Sequence, residues 1–473
     1  MPPTIAELVD ALPHDEGDEH EDQSSEQLLR ELVSTLSTRP VPTGRLSRLW
    51  SLGTLQAKIA AAYLAYWVRS SYAGADESER LLNETHLKAA LGLLGGMTYL
   101  RGAIMKVGQM LASYPDILPA QFIEALETLH FEAPPMHFSL LRELVERELG
   151  GDPEDVFDEF ETTAFAAASL GQVHRARLKS GQPVAVKIQY PGIARTIRSD
   201  FRNLSALLLP MRLSGDWDNL KEQFEEMRRV LELETDYEQE ARFMRTARSA
   251  FGEDDEIVVP RVYDEYSTRR VLTMDYLDGL HVGDFLATGP TRERCDRHGS
   301  QIALATLRLY YRFRLTYADP NPGNFIFLPD GRLGLIDFGC CRVLNDEEWA
   351  WSRQCDDAID AGPQERREAV IRGAALTEAQ RSDTDRIEHL ERISDWLWEP
   401  FRASGPFDFG DETYLKRGIE LITESMRRRY VRSMPVLNWL LRLFFGFRSL
   451  AYRLGARIDM RALYDQERRQ AKG

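Results

Sequence analysis

Apolar residues recur at helical spacing over most of this chain and alternate at strand spacing in only a few places. The stretch RLSRLWSLGTLQAKIAAAYLAYWVRSSY (45–72) carries an apolar stripe at a helical period and predicts a helix. Arg45, Arg48, Lys58 and Arg69 break it too often for a membrane span. Two readings stay open, a helix packed on the body and a helix lying on a membrane surface. LKAALGLLGGMTYLRGAIMKVGQMLAS (87–113) predicts a second helix that is rich in glycine. Glycine inside a helix costs up to ~1 kcal/mol relative to alanine. Gly92, Gly96, Gly102 and Gly108 therefore point to close approach of another backbone, while Lys106 and Gln109 share the apolar face at a three-residue step.

The period changes after about 136. FSLLRELVEREL (138–149) predicts a helix leading into AFAAASLGQV (164–173), then QVHRARL, a turn at KSGQ and PVAVKIQ. Strand alternation puts Val184, Val186 and Ile188 on one face and Ala185 and Lys187 on the other. A long helical region (195–250) follows, and 258–279 reads as two strands about a turn. Beyond 280 the pattern is mostly helical, interrupted by YADPNPGNFIFLPDGRLGLIDFG (317–339). No internal repeat is evident. Near the end, 427–457 mixes eight arginines with Trp439, Phe444, Phe445 and Phe447, and Arg442 and Arg448 interrupt its apolar run. A buried helix pair and an interfacial patch for anionic lipid are both compatible with that pattern.

Composition narrows the picture. At 473 residues, with 43% hydrophobic and 10% aromatic residues, the chain is globular and long enough for two or three folding units. A net charge of −16 argues against general nucleic-acid binding. Part of that charge is local: DEGDEHEDQSSE (15–26) holds seven acids and no Lys or Arg, and reads as a solvated tail. Cys295, Cys340, Cys341 and Cys355 show no metal-ligand spacing, which suits a reducing compartment. No signal peptide is visible, so the expected location is cytoplasmic, with peripheral contact on the inner membrane face left open.

The chemistry lies in four short motifs. Lys187 ends the alternating run of VAVK, and Glu240 in LELETDYEQEARFMRTARSAF (231–251) is placed on a helix to pair with it. Such a pair holds a lysine ammonium against the α/β-phosphates of a nucleotide. Asp319 and Asn324 stand five apart in DPNPGN, the step of the kinase catalytic loop, and a strand-turn-strand delivers Asp337-Phe338-Gly339. Mg²⁺ takes hard oxygen ligands, usually one or two protein groups with phosphates and waters, and Asn324 and Asp337 supply that set. Asp319 is placed as a general base that orients water or an acceptor hydroxyl. Met274-Asp275-Tyr276 is the expected hinge, with Met274 and Tyr276 meeting adenine. Ala166, Ala167, Ala168 and Ser169 stand where a glycine-rich loop would cover the phosphates; alanine Cβ atoms restrict what glycine leaves free. Tyr317-Ala318 replace the His-Arg that precedes the catalytic Asp, no activation segment follows Asp337, and the link from Lys187 to Glu240 is long enough to hold a helical insertion.

KVGQ (106–109), AAASLGQVHRA (166–176), VAVKIQYPG (184–192), ETDYEQEA (234–241), DPNPGN and DFG together resemble the UbiB/AarF-type atypical protein-kinase-like family, which is associated with ubiquinone and related isoprenoid lipid pathways. The resemblance covers about 45–345 well and the C-terminal helices more loosely. Many members have a histidine where this chain has Asn321, and bacterial members often end in two membrane spans that this chain does not match. The resemblance implies an α+β, two-lobed protein-kinase-like fold with a helical N-terminal extension and a mostly helical C-lobe. The expected divisions are an acidic disordered tail (1–44), a helical extension carrying KxGQ (45–135), an N-lobe with a helical insertion (136–275) and a C-lobe with basic-apolar C-terminal helices (276–473). It also implies that the KxGQ helix lies over the active site, with Lys106 and Gln109 regulatory and Lys106 meeting Glu234 and Asp236. Helix geometry sets positions two apart about 200° round the axis, so both acids reach one lysine only if a helix begins near them or one contact is indirect.

The function expected is that of an ATP- and Mg²⁺-binding atypical kinase or ATPase. It would support isoprenoid quinone or lipid metabolism at a membrane surface, with a lipid or quinone precursor and an anionic surface as partners. A true protein kinase and a nucleotide-gated pseudokinase scaffold are the competing readings, and a homodimer stays open.

Overall fold

The computed structural model describes residues 136–473, apart from 169, 196, 199–200, 202–216, 253–254, 318–320, 375, 429, 431–434 and 472–473. The acidic tail, the helical extension, Lys106, Gln109, Ser169 and Asp319 lie outside the described residues. The chain divides into two compact units, one of residues 1–134 with 192–228, the other of 135–191 with 229–473. In the first, Ile193, Ile197 and Phe201 are buried and Arg228 pairs with Glu225 at 2.8 Å.

The second unit begins with helix α1 (Ser139–Leu149), which Gly150 ends in the left-handed conformation with its N–H on Glu146 O. A short helix α2 (Pro153–Val156) follows, capped by Asp152. Five strands then form an antiparallel sheet: β1 (Glu159–Phe160), β2 (Ala166–Ala168), β3 (Gly171–Arg177), β4 (Pro183–Gln189) and β6 (Val271–Asp275). The order is β1-β3-β4-β6, with β2 also pairing β3. Both faces of β4 are covered. Val184, Val186 and Ile188 pack with Leu141, Leu144, Val145, Phe157 and Val271. Ala185 joins the other core beside Tyr237, Ala241 and Met244. The glycine of the alanine-rich stretch is needed for space: a Cβ on Gly171 would lie 2.2 Å from Ile188 O and 2.9 Å from the Tyr237 hydroxyl.

Helix α3 (Trp217–Glu234) ends just before α4 (Tyr237–Ala250), and the break falls at Thr235-Asp236. The side chain of Asp236 accepts the Gln239 N–H and starts α4. Helix α4 buries Tyr237, Glu240, Ala241, Met244 and Ala247 along one stripe, the pattern of an amphipathic helix against a sheet. The two strands expected over 258–279 do not form a hairpin with each other. Strand β5 (Ile257–Val258) pairs in parallel with β9 (Leu333–Leu335), and β8 (Phe325–Phe327) completes that three-stranded sheet. Pro260 has no N–H to continue a ladder, and only a bridge between Val262 and Met274 reaches β6.

The rest is helical. After α5 (Val282–Ala287), the long α6 (Arg292–Phe313) is capped by Thr291 and ended by Arg314 at φ 53°, the one non-glycine residue with positive φ among the described residues. That left-handed turn costs roughly 1–2 kcal/mol, and it sends the chain straight into β7 (Leu315–Tyr317). Strand β10 (Cys341–Val343) pairs with β7. Helices α7 (Asp346–Ile359), α8 (Pro363–Gly373), α9 (Thr384–Arg402), α10 (Glu412–Arg427), α11 (Pro435–Leu454) and α12 (Met460–Gln470) follow, with the small ribbon β11 (Phe407–Asp408) and β12 (Arg457–Ile458).

The apolar residues described in the C-terminal run are largely interior. Trp439, Leu443, Phe447 and Leu450 are buried, and Phe444 and Phe445 pack against the core. Arg448 is 2% exposed and donates to the Tyr414 hydroxyl at 2.8 Å and to the carbonyls of Phe444 and Leu397. No helix among the described residues is long and apolar enough to cross a membrane. The four cysteines form no disulfide with one another.

Candidate nucleotide and metal site

Three elements bring the site together. Lys187 lies on β4, Glu240 one turn into α4, and Asp337 just past β9. Lys187 Nζ donates to both Glu240 oxygens, at 2.7 and 3.0 Å, and to Asp337 Oδ2 at 3.0 Å. It also sits 5.2 Å from the centre of the Tyr237 ring. Lys187 and Glu240 are 5% and 2% exposed, while the Asp337 side chain is 26% exposed, so the cluster opens at Asp337. Burial works against the charge on Lys187, but Asp337 and Glu240 outweigh it and hold the ammonium well above its ordinary range. Burial pushes the Glu240 carboxyl up to about 7 against the pull of Lys187.

The DFG segment is fixed by the same groups. Asp337 Oδ1 accepts the Gly339 N–H at 2.9 Å, and the Phe338 N–H points to Glu240 Oε1 at 3.4 Å. The Phe338 side chain is fully buried, edge-on to Tyr317 at 5.4 Å. Asn324 closes a 3₁₀ turn (Pro322–Asn324) capped by Asn321, and its carbonyl accepts the Ile336 N–H at 3.1 Å. Asn324 and Asp337 therefore flank the open end of the β8–β9 hairpin. Only β10 and Leu344-Asn345 separate Gly339-Cys340 from α7, so an activation segment has no room there.

The two acids N-terminal to α4 differ. Glu234 is 5% exposed, and its Cγ lies 3.8 Å from where a Cβ on Gly339 would be, which puts it beside the DFG turn. Asp236 is the cap of α4 and lies 3.6 Å from Arg269. One helix ends at Glu234 and the next begins just after Asp236, so their directions need not diverge as along a continuous helix. Ala166, Ala167 and Ala168 form β2, paired with Val173, Gln172 and Gly171. At the expected hinge, Met274 is buried opposite Ala185; the Asp275 N–H donates to Arg261 O at 3.0 Å and the Tyr276 N–H to Pro183 O at 3.3 Å.

Sequence reasoning missed several residues. Tyr237 is buried against Lys187, and its hydroxyl has no hydrogen-bond partner among the described residues. Its place three residues before Glu240, at the start of the same helix, was the available signal. Arg175 lies 4.8 Å over the Phe165 ring and 5.3 Å over the Tyr276 ring, joining the residue before β2 to the hinge. Gln172 exchanges two hydrogen bonds with the backbone of Met136, at 2.8 and 3.1 Å, and donates to His174 Nε2 at 3.0 Å. Burial lowers the His174 pKa, and the neutral ring donates from Nδ1 to Glu161 O at 2.8 Å. Neither contact has a local sequence signal.

A twisted antiparallel sheet whose lysine is gripped by a helical glutamate and a DFG aspartate, beside a mainly helical region, defines a kinase-like protein. A family profile described as ABC1 atypical kinase-like domain matches residues 128–355. The chain is 31% identical over 441 residues to the atypical kinase COQ8B, mitochondrial, of Rattus norvegicus, covering 90% of this chain and 81% of that protein. It is 30% identical over 438 residues to the atypical kinase COQ8, mitochondrial, of Schizosaccharomyces pombe, covering 91% and 70%. Among solved structures, the Rv3197–erythromycin complex from Mycobacterium tuberculosis matches with a TM-score of 0.56 at 27% identity, covering 83% of this chain and 98% of that one. The chain belongs to the ABC1 family of atypical kinases, with the COQ8 and AarF proteins.

Proposed function

We propose that this protein binds ATP with Mg²⁺ and hydrolyses it, or transfers its phosphoryl group to a small or lipid-like acceptor, in support of isoprenoid quinone or lipid metabolism at a membrane surface. The observation that carries this reading is the single ammonium of Lys187 held between Glu240 and Asp337. Lys187 and Glu240 are almost fully buried, and Asp337 is the more exposed carboxylate of the cluster. Asn324 and Asp337 would hold Mg²⁺ there, two oxygen donors being what this ion takes when phosphates and waters complete its shell. When bound, the ion would neutralise charge on the transferring phosphoryl group.

The protein's own residues do the rest. Lys187, positioned by Glu240, meets the α/β-phosphates; the Ala166–Ala168 strand covers them; Met274 and Tyr276 border the adenine. Asp319 orients the attacking water or hydroxyl. The missing room for an activation segment speaks for a small acceptor over a folded protein substrate.

The test is ATP turnover by the purified chain with and without anionic liposomes. Stimulation that disappears in Asp337→Asn is expected; a scaffold would bind nucleotide without turnover in either condition. Mg-ATP should raise the melting temperature of the wild type and not of Asp337→Asn, and equal shifts would overturn the metal assignment.

A further inference from the structure

The ammonium of Lys187 has one neighbour that the phosphoryl-transfer reading leaves unused. Besides the three carboxylate oxygens that take its donors, it has the Tyr237 ring, whose centre lies 5.2 Å from Nζ. Within about 6 Å an ammonium is attracted by the negative face of an aromatic ring, and more strongly where water is excluded. Water is excluded here, since Tyr237 is 1% exposed and Lys187 5%. Burial holds the phenol protonated well above its ordinary range, so the cation faces a neutral ring.

The ring is held from several directions. Tyr237 is the first residue of α4 and stands three positions before Glu240, which puts both side chains on one face of the helix. Its N–H donates to Arg269 O at 3.1 Å. Just before it, the Gln189 side chain at the end of β4 donates to Thr235 O at 3.0 Å and fixes the break between α3 and α4. The far end of the ring touches a different element. The hydroxyl lies 2.9 Å from where a Cβ on Gly171 would stand, so it abuts the backbone of the first residue of β3. Gly171 pairs with Ala168 across the turn that joins β2 to β3. One side chain therefore spans from the lysine to the turn of the alanine hairpin.

We propose that Tyr237 is a positioning residue for phosphoryl transfer: its ring restrains the Lys187 ammonium, and its hydroxyl end seats the alanine hairpin at Gly171. A rigid aromatic of fixed length thus sets the spacing between the lysine and the strand that covers the phosphates. This role stands on the nucleotide reading of the Lys187 site. The two ends of the side chain separate in kinetics. A restraint on Lys187 acts on charge that develops during transfer and shows in kcat, whereas a seat under the hairpin acts on bound nucleotide and shows in KM.

The test is steady-state ATP turnover and Mg-ATP thermal stabilisation of the full chain with Tyr237→Phe, Tyr237→Leu and Lys187→Met, and with the last two combined. Tyr237→Phe keeps the ring and drops the hydroxyl; KM for ATP should rise about three-fold or more, with kcat within about two-fold of the wild type. Tyr237→Leu drops the ring as well, and kcat should fall about ten-fold or more, the factor a desolvated cation–π contact supplies. On the Lys187→Met background Tyr237→Leu should cost no further kcat, because the ring acts through a cation that is gone. The same added loss on both backgrounds would mean that Tyr237 only packs, and would overturn its role. So would wild-type kcat in Tyr237→Leu, or an unchanged KM in Tyr237→Phe, which stays decisive if the leucine variant does not fold. A wild type that neither turns over ATP nor is stabilised by Mg-ATP would overturn the nucleotide reading itself and the role of Tyr237 with it. An active wild type beside an indifferent Tyr237→Leu overturns the positioning role alone.

Discussion

Two buried charge clusters sit in the same folding unit, and they are built to opposite plans. Around Lys187, the ammonium is shared by the carboxylates of Glu240 and Asp337, and the Asp337 side chain is 26% exposed. Around Glu467, two cations face two carboxylates. Arg308 Nε and Arg312 Nε hold its two oxygens at 3.1 and 2.8 Å, and Arg308 also reaches Asp255 at 3.1 Å. Glu467 is completely buried, and the cluster ties α12 to α6. The balanced cluster has its charges and fork-shaped donors matched, so it needs nothing from outside. The other one turns a carboxylate toward the side from which a metal-nucleotide would arrive. The two differ in what they join: the Lys187 cluster gathers a strand, a helix and the DFG turn at one ammonium, whereas the Glu467 cluster clasps two helices.

The largest expected effect breaks the clasp. Glu467→Ala takes the shared carboxylate from Arg312 and leaves the buried Arg308 with Asp255 alone, and should cost about 3 kcal/mol, read from urea unfolding. Nucleotide affinity of the folded fraction should stay unchanged, and a stability loss below about 1 kcal/mol would mean that the arginines find other partners. Lys187→Met is the mirror case. It should lower turnover by about a hundred-fold or more, in line with losing a positioned charge from a reacting centre. Its effect on unfolding should be the smaller one, and a variant that turns over normally would remove Lys187 from the mechanism.

A pH comparison sharpens the contrast. Glu240 in the folded chain releases its proton at about 7, above the ordinary 4.5 of its side chain, because burial outweighs Lys187. Between those values the folded state binds a proton that the unfolded state has lost, so stability falls as pH rises through this window and levels off above it. Glu240→Gln should flatten that fall, with the melting-temperature change between pH 5 and pH 8 smaller than in the wild type by roughly 2–4 °C. Identical slopes in the two proteins would show that Glu240 stays ionised throughout. The smallest effect is expected from Ala167→Gly. It loosens an edge strand of the sheet and should change nucleotide affinity only a few-fold; calorimetric titration indistinguishable from the parent would mark that strand as packing alone.

Much of the site is legible in the order of residues alone. The alternation of PVAVKIQ marks a strand that carries Lys187 inward on the face opposite Val184, Val186 and Ile188. The helical period around Glu240 marks its partner, and the DPNPGN and DFG steps mark the hairpin ends. The role of Gly171 is not legible in that way. Nothing local marks it, whereas the fold needs it because β4 passes too close for a Cβ. Pairing of β5 with β9 joins residues more than seventy positions apart, a distance over which local pattern carries no information. The arginines of the C-terminal run look equally suited to anionic lipid, and one of them, Arg448, is instead an interior donor to Tyr414 and two carbonyls.

By itself, then, the sequence determined the kinds of element and the chemical groups they carry, because period, propensity and side-chain chemistry are local properties. Only the tertiary structure decided which charges balance. Desolvation and Coulomb energy depend on burial and on distances of a few ångströms, and these arise from contacts between remote segments. Lys187 needs Asp337 and Glu467 needs Arg308, and only the folded chain brings either pair together.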